Sequence, residues 1–297
     1  MHPDSNVIVG ATEHQANLVP WQRLCQQTGA TLHIAPITST GTIDLAALAS
    51  LIDEHTVLVA VNHISNIWGA INPIKEISGL AQKYQALLLV DGTQATRNIP
   101  VNFADLQCDF YVFSAHKMFG PTGVGVLYGR RSELEKMPPY QGGGEMRDKV
   151  SWEQTTFERL PFKFEAGTPN IAGGIGLGVA IDYIQSVGFD FIQKQEKELL
   201  EYATQELLKI DGLKIIGEAA NKTCVISFIV EGVHPFDLGT IVDKMGVAVR
   251  TGHHCTQPLM DFFEIPGTTR ASFSFYNTIE EVDSLVKALN RALGMLR

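Results

Sequence analysis

The chain has 297 residues, 45% of them hydrophobic, with 32 Asp+Glu against 23 Lys+Arg and a formal net charge of −9. That length can bury a large domain and a smaller one, each with its own core. The acidic balance, without any long Lys/Arg run, speaks against a phosphate-tracking surface for nucleic acid or a polybasic membrane patch, so a small polar substrate fits better. Residues 1–10 lack a basic start followed by an apolar stretch, and no later segment approaches the roughly 18 uninterrupted apolar residues of a membrane span. A cytoplasmic protein is the expectation.

In chain order, β-rich apolar runs alternate with helix-period segments. Strands are predicted at 7–11, 31–37, 57–62, 86–91, 110–114 and 123–128, with helices beginning near Leu18, Asp44 and Pro73. Such alternation implies an α/β fold with a mostly parallel sheet, right-handed crossovers and helices on both faces. Ligands then sit at the carboxyl ends of the strands, where Asn62, Asp91 and Ser114 stand. The stretch 138–161, rich in Gly, Pro and charge, reads as a long loop, and long loops in compact domains tend to be functional. Two long helical patterns follow, at about 170–185 and 189–210. Beyond them come a strand at 224–230, a helix from Pro235, strands at 246–249 and 270–275, and a closing helix from Thr278. This α+β tail predicts a large domain at 1–185 and a small one at 186–297.

Cys25, Cys108, Cys224 and Cys255 are scattered, without a C-x-x-C pair or metal-ligand spacing, which fits reduced thiols. Cys25, in a helical pattern, and Cys224, at a strand start, read as core. Cys255 lies in a polar loop, Arg250-Thr251-Gly252-His253-His254-Cys255. A thiol attacks as thiolate, a form that neighbouring cations and imidazoles favour, so Cys255 is a candidate nucleophile. A His/His/Cys metal site is weaker, because adjacent histidines do not easily aim at one ion.

The sharpest constellation pairs Val90-Asp91-Gly92-Thr93-Gln94 at one strand end with Ser114-Ala115-His116-Lys117 at another. A pyridoxal cofactor needs a lysine for its Schiff base, a carboxylate facing the ring nitrogen and short polar donors for its phosphate. Lys117, Asp91 and the pair Ser114 and His116 supply these types, although each alone is a common surface residue. His14, directly after the first strand, could stack on the ring or move protons, or merely begin a helix. Asn66 could bond a cofactor oxygen or only form a turn. Arg270 offers a planar fork for a substrate carboxylate, or could pair with a nearby acid.

The segments ATEHQAN, HISNIWG, LLLVDGTQ, FSAHKMFGPTGVGVLYG, FEAGTPN and RTGHHCTQPLM carry a resemblance over nearly the whole chain. The chain resembles the group II cysteine desulfurases and selenocysteine lyases, fold type I pyridoxal-phosphate enzymes that include the Suf-type desulfurases of iron-sulfur assembly. The resemblance implies pyridoxal 5'-phosphate held by Lys117, with Asp91 at the ring nitrogen, His14 stacked, and Asn66 and Gln94 at the phenolic oxygen or substrate. Ser114, His116 and Thr168 would take the phosphate, Thr168 from a neighbouring subunit. Arg270, with Arg250, would bind the substrate carboxylate, and Cys255 would receive sulfur from L-cysteine, or selenium from L-selenocysteine. It further implies a homodimer, a sulfur-acceptor protein, and about a hundred residues upstream of this chain's start that would complete the large domain and the phosphate cup. Competing expectations are another aldimine lyase of the same fold, or a truncated, non-catalytic remnant that keeps the later portion of the fold and docks to a partner.

Overall fold

The computed structural model describes residues 1–297. Its strands are β1 (Asn6–Gly10), β2 (Thr31–Ala35), β3 (Thr56–Asn62), β4 (Leu87–Asp91), β5 (Phe110–Ser114), β6 (Gly125–Gly129), β7 (Arg147–Val150), β8 (Thr155–Phe157), β9 (Leu213–Ile216), β10 (Val225–Val230), β11 (Arg250–Gly252) and β12 (Thr268–Ser272). Its helices are α1 (Gln15–Thr28), α2 (Leu45–Leu51), α3 (Ile74–Lys83), α4 (Phe103–Leu106), α5 (Arg131–Lys136), α6 (Ile171–Val187), α7 (Phe189–Leu207), α8 (Pro235–Asp243), α9 (Gln257–Phe262) and α10 (Ile279–Leu296).

The larger sheet has the order β2-β1-β3-β4-β5-β6. Its first five strands are parallel, and β6 runs antiparallel beside β5. Every residue of β1 is buried, as expected for a strand covered on both faces. One core packs Ile8, Val59, Val61, Leu88 and Val90 under α2 and α3, and another sets Val7, Val9, Leu58 and Ala60 against Cys25 of α1. Helix α3 shows why this works: its buried residues Ile74, Ile77, Ser78 and Ala81 form one helical stripe. Asp44 accepts from the Ala46 and Ala47 N–H groups and so caps α2 where the sequence predicted a helix start. Because the chain moves from β1 outward to β2 and then back past β1 to β3, a crevice opens at the carboxyl ends of β1 and β3.

The second sheet, β11-β12-β10-β9, has its own core, in which Ile226, Phe228 and Val230 meet Leu199, Ala203 and Leu207 of α7 and Val282, Leu285 and Leu289 of α10. Thr278 and Glu281 form a capping box that starts α10. No single helix is long and apolar enough to cross a membrane.

Three local expectations change. The strand predicted at 246–249 is not one: Val247 and Val249 pack against the second core without joining a ladder, and the strand is Arg250–Gly252. Apolar alternation there reflects packing alone. The stretch predicted as a loop at 138–161 holds a two-stranded hairpin, β7-β8, whose residues are all exposed and so leave no hydrophobic pattern. The strand β9 was not foreseen, although its hydrogen bonds extend the second sheet beyond β10.

Candidate active site

Four strand ends of the larger sheet bring their polar residues to one edge. After β1 the chain turns into α1, and His14 caps that helix, its Nδ1 accepting from the Ala16 N–H at 3.1 Å. The helix-start role is therefore real, and it also fixes the ring, half-buried, at the sheet edge. Burial and the nearby Lys117 and Arg250 push the imidazole below its ordinary pKa, against the opposing pull of Asp91.

Glu13, next to it, is 3% exposed. Its carboxyl accepts from the Asn62 N–H and the Asn62 side-chain amide, each at 2.8 Å, and from the Asn17 amide at 2.6 Å. It locks the β1–α1 turn to the end of β3. Burial, partly offset by these donors, pushes it up to about 8. Sequence reading gave Glu13 no role; the one available signal was its i, i+4 relation to Asn17.

At the end of β4, Asp91 Oδ1 accepts from the Thr93 N–H at 2.9 Å, leaving its other oxygen free. Gly92 is required by close approach, since a Cβ there would lie 1.9 Å from the Tyr111 ring. Lys117 sits in a single turn of 3₁₀ helix directly after β5 and makes no ion pair. Burial lowers its amine below the usual lysine range; Asp91 and Cys255 oppose this, and Arg270 and Arg250 reinforce it. One amine thus feels a carboxylate from the first sheet and two guanidiniums and a thiol from the second.

Arg250 and Arg270 stand directly opposite each other in the β11-β12 ladder. Like charges at opposed positions repel, and neither arginine has an acidic partner. The ion-pair reading of Arg270 therefore fails. Its Nη1 donates instead to the Asn66 carbonyl at 2.5 Å, and its buried Nε has no partner. Burial and Arg250 lower it to about 10. Two cations on one side without an anion are suited to meeting a carboxylate.

Cys255 follows in the turn after β11, partly exposed, with the Arg250 Nη2 3.5 Å from its Sγ. The loop is not loose. His254 and Cys255 both have positive φ, 52° and 61°. The Asn66 amide donates to the His254 carbonyl at 2.8 Å, and the Gln15 N–H donates to the Cys255 carbonyl at 2.9 Å. Asn66 is buried and far from a simple turn residue. His253 is exposed whereas His254 is buried, so the two imidazoles face different surroundings.

The remaining candidates are less engaged. Gln94 and Ser114 are partly buried at the same edge, His116 and Thr168 are exposed, and no side-chain hydrogen bond ties these four to the cluster. One cavity, of about 930 Å³, lies elsewhere, between α7 and the segment around Lys222, and another, of about 240 Å³, lies behind Glu13 and Pro258. Lys117 lines neither of them.

These residues fit pyridoxal phosphate. An unpaired amine of lowered basicity, a carboxylate with one free oxygen and an imidazole held by its own helix cap supply the groups for its aldehyde, ring nitrogen and ring face. A mostly parallel sheet with a lysine and an acid at adjoining strand ends marks a fold type I enzyme. The aminotransferase class-V family model matches residues 1–285. A cysteine desulfurase of Enterobacter sp. (strain 638) is 47% identical over 297 residues, which cover 100% of this chain and 73% of that protein. A probable cysteine desulfurase of Xylella fastidiosa (strain Temecula1) is 46% identical over 290 residues, 98% of this chain and 70% of the relative. The crystal structure of the Escherichia coli cysteine desulfurase CsdA, in an S-sulfonic acid form, superposes with a TM-score of 0.95 at 37% identity, covering 100% of this chain and 74% of that one. The chain belongs to the cysteine desulfurases of the class-V aminotransferase family, which use pyridoxal phosphate.

Proposed function

We propose that this chain takes sulfur from L-cysteine, leaving L-alanine and a persulfide on Cys255. The observation that carries the reading is the convergence of Lys117, Asp91, Arg250, Arg270 and Cys255 from two sheets into one electrostatic cluster. Lys117 would hold the cofactor's aldehyde carbon, Asp91 its ring nitrogen, His14 its ring face, and Asn66 and Gln94 its phenolic oxygen. Ser114, His116 and Thr168 would serve the phosphate. When bound, pyridoxal phosphate supplies an electron sink for negative charge at the substrate α-carbon.

The protein's own groups do the rest. Arg270, with Arg250 opposite, grips the substrate carboxylate and orients the amino acid. Lys117 takes the α-proton, a task eased by the lowered basicity of its buried amine, which leaves more of it unprotonated near neutral pH. Cys255 Sγ attacks the substrate sulfur: an S–S bond forms, the C–S bond breaks, and the hydrogen that began on the Cys255 thiol is balanced by the one gained at the product carbon. No external oxidant is needed. L-selenocysteine fits the same contacts.

The partly exposed thiol supports hand-over to a sulfur-acceptor protein, and from there to iron-sulfur cluster assembly. An exposed apolar stripe on α6, Ile171, Ile175, Val179 and Tyr183, supports a second copy as partner. Unpaired thiols support a reducing, cytoplasmic compartment. Residues 1–185 and 186–297 are taken as large and small domain.

The test is alanine formation from L-cysteine by the chain reconstituted with pyridoxal phosphate. Activity in the wild type, lost in both Lys117→Ala and Cys255→Ala, is expected. Undiminished alanine and sulfide from Cys255→Ala would refute the persulfide assignment.

A further inference from the structure

The loop that carries Cys255 adopts a backbone that its sequence does not favour. Positive φ at a non-glycine residue is uncommon, and here two such residues, His254 and Cys255, follow one another. Such conformations persist only where the surroundings over-determine them. Glycines on either side help: Gly252 has φ 107° and Gly267 φ 139°, and a Cβ on Gly267 would lie 2.9 Å from the Gly252 backbone. They let the ends of the loop touch but do not hold its apex.

The apex is held by the imidazole. His254 is 2% exposed, and its Nε2 lies 2.8 Å from the Thr268 hydroxyl and 3.1 Å from the Thr268 carbonyl. A carbonyl can only accept, so Nε2 carries the proton and Nδ1 is the bare nitrogen; that Nδ1 is buried with no partner. Thr268 is itself fully buried and pairs with Gly252 across the β11-β12 ladder, so the anchor is part of the sheet. Burial, reinforced by the cationic Arg270, Arg250 and His253 and opposed by the Thr268 hydrogen bond, holds the imidazole down to about 4. The ring is thus neutral across the physiological range, with its Nε2 proton engaged by Thr268.

We infer that His254 is a positioning residue for the sulfur-accepting thiol: its imidazole, pinned to Thr268, fixes the left-handed turn that presents Cys255 beside Arg250, and it acts through geometry, not proton transfer. The inference rests on the reading of Cys255 as the thiol that receives sulfur. It assigns different roles to adjacent histidines, since His253 is exposed and takes no part in the anchor.

The test uses the chain reconstituted with pyridoxal phosphate and the variants His254→Ala, His254→Gln and Thr268→Val. Glutamine can place an N–H near the Thr268 acceptors; alanine cannot. Misplacing a reacting group by about an ångström can cost on the order of 100-fold, so His254→Ala is expected to lower kcat by about tenfold or more, with KM for L-cysteine within about twofold of wild type. Thr268→Val, which spares the Thr268 carbonyl, should shift kcat the same way by less. His254→Gln should recover most of the loss and keep the wild-type pH profile. A readout without substrate accompanies these: the rate at which iodoacetamide alkylates Cys255 should change in His254→Ala and Thr268→Val and return toward wild type in His254→Gln. Unchanged kcat and alkylation in His254→Ala would overturn the inference, and so would a His254→Gln variant whose pH profile changes shape, which would reveal proton transfer. If His254→Ala does not fold, Thr268→Val decides on the same two readouts. Full turnover in Cys255→Ala would sink the underlying reading; an inactive Cys255→Ala beside a normal His254→Ala would sink only this inference.

Discussion

The two halves of the site are built by opposite means. On the larger sheet, Asp91 and Lys117 stand at the ends of ordinary parallel strands, and His14 opens a helix that it caps itself. Packing of the core beneath fixes them. On the smaller sheet, Cys255 sits in a turn with two consecutive positive φ angles, held by hydrogen bonds that Asn66 and Gln15 donate to it and by the contact of His254 Nε2 with Thr268. In the proposed function, proton handling thus falls to the frame, whereas sulfur would be taken by a group on a latched loop. On the proposed function, a latch would suit a thiol that meets a substrate inside and an acceptor outside, because a few hydrogen bonds can open without disturbing a core.

The contrast predicts all-or-none effects in the frame and graded ones in the latch. Lys117→Ala should abolish the cofactor's bound absorbance and lower turnover on the order of 10³-fold or more, as loss of a group acting directly in the chemistry does. Gly92→Ala, which drives a methyl into the Tyr111 ring, should destabilise the fold by about 3 kcal/mol or more in denaturant titration, with activity lost alongside. Asn66→Ala leaves the His254 carbonyl without its donor, at a cost of about 1–3 kcal/mol to the latched loop, and should raise the alkylation rate of Cys255 while barely moving the global unfolding midpoint. If Asn66→Ala instead unfolds the chain, the latch is no more separable than the frame.

A further expected effect concerns pH. Glu13 is raised from 4.5 to about 8, so the folded state binds the proton more tightly than the unfolded one. The sign follows: its contribution is fully present below about 4.5 and is lost as pH rises through about 8. The stability difference between wild type and Glu13→Gln should therefore move against the wild type between pH 5 and 8, by no more than a few kcal/mol, read from denaturant midpoints. A difference independent of pH would mean the three N–H donors keep Glu13 ionised throughout.

Sequence carried the frame well, for a physical reason. Buried parallel strands need continuous apolar runs, helix starts need caps such as Asp44 and Thr278, and strand ends then fall where Asp91 and Ser114 could be recognised. Cys255 was legible too, from the polar loop and the motif around it. What stayed hidden depends on partners distant in the chain. Asn66 read as a cofactor contact or a turn, yet its amide reaches His254, 188 positions on. Glu13 reads as one more acid until Asn62 closes over it. Val247 and Val249 alternate like a strand because they face a core, while the ladder begins only at Arg250. The Cys255 loop is tied at the His254 and Cys255 carbonyls, a fact no local pattern encodes.

The most direct test of the central claim is mass spectrometry of the Cys255 peptide after one turnover with L-cysteine, without reductant, in the chain loaded with pyridoxal phosphate. The account predicts a gain of one sulfur atom on Cys255, equal in amount to the alanine formed and absent in Lys117→Ala. Alanine formed with Cys255 unmodified, or the added sulfur found on Cys25, Cys108 or Cys224, would contradict it.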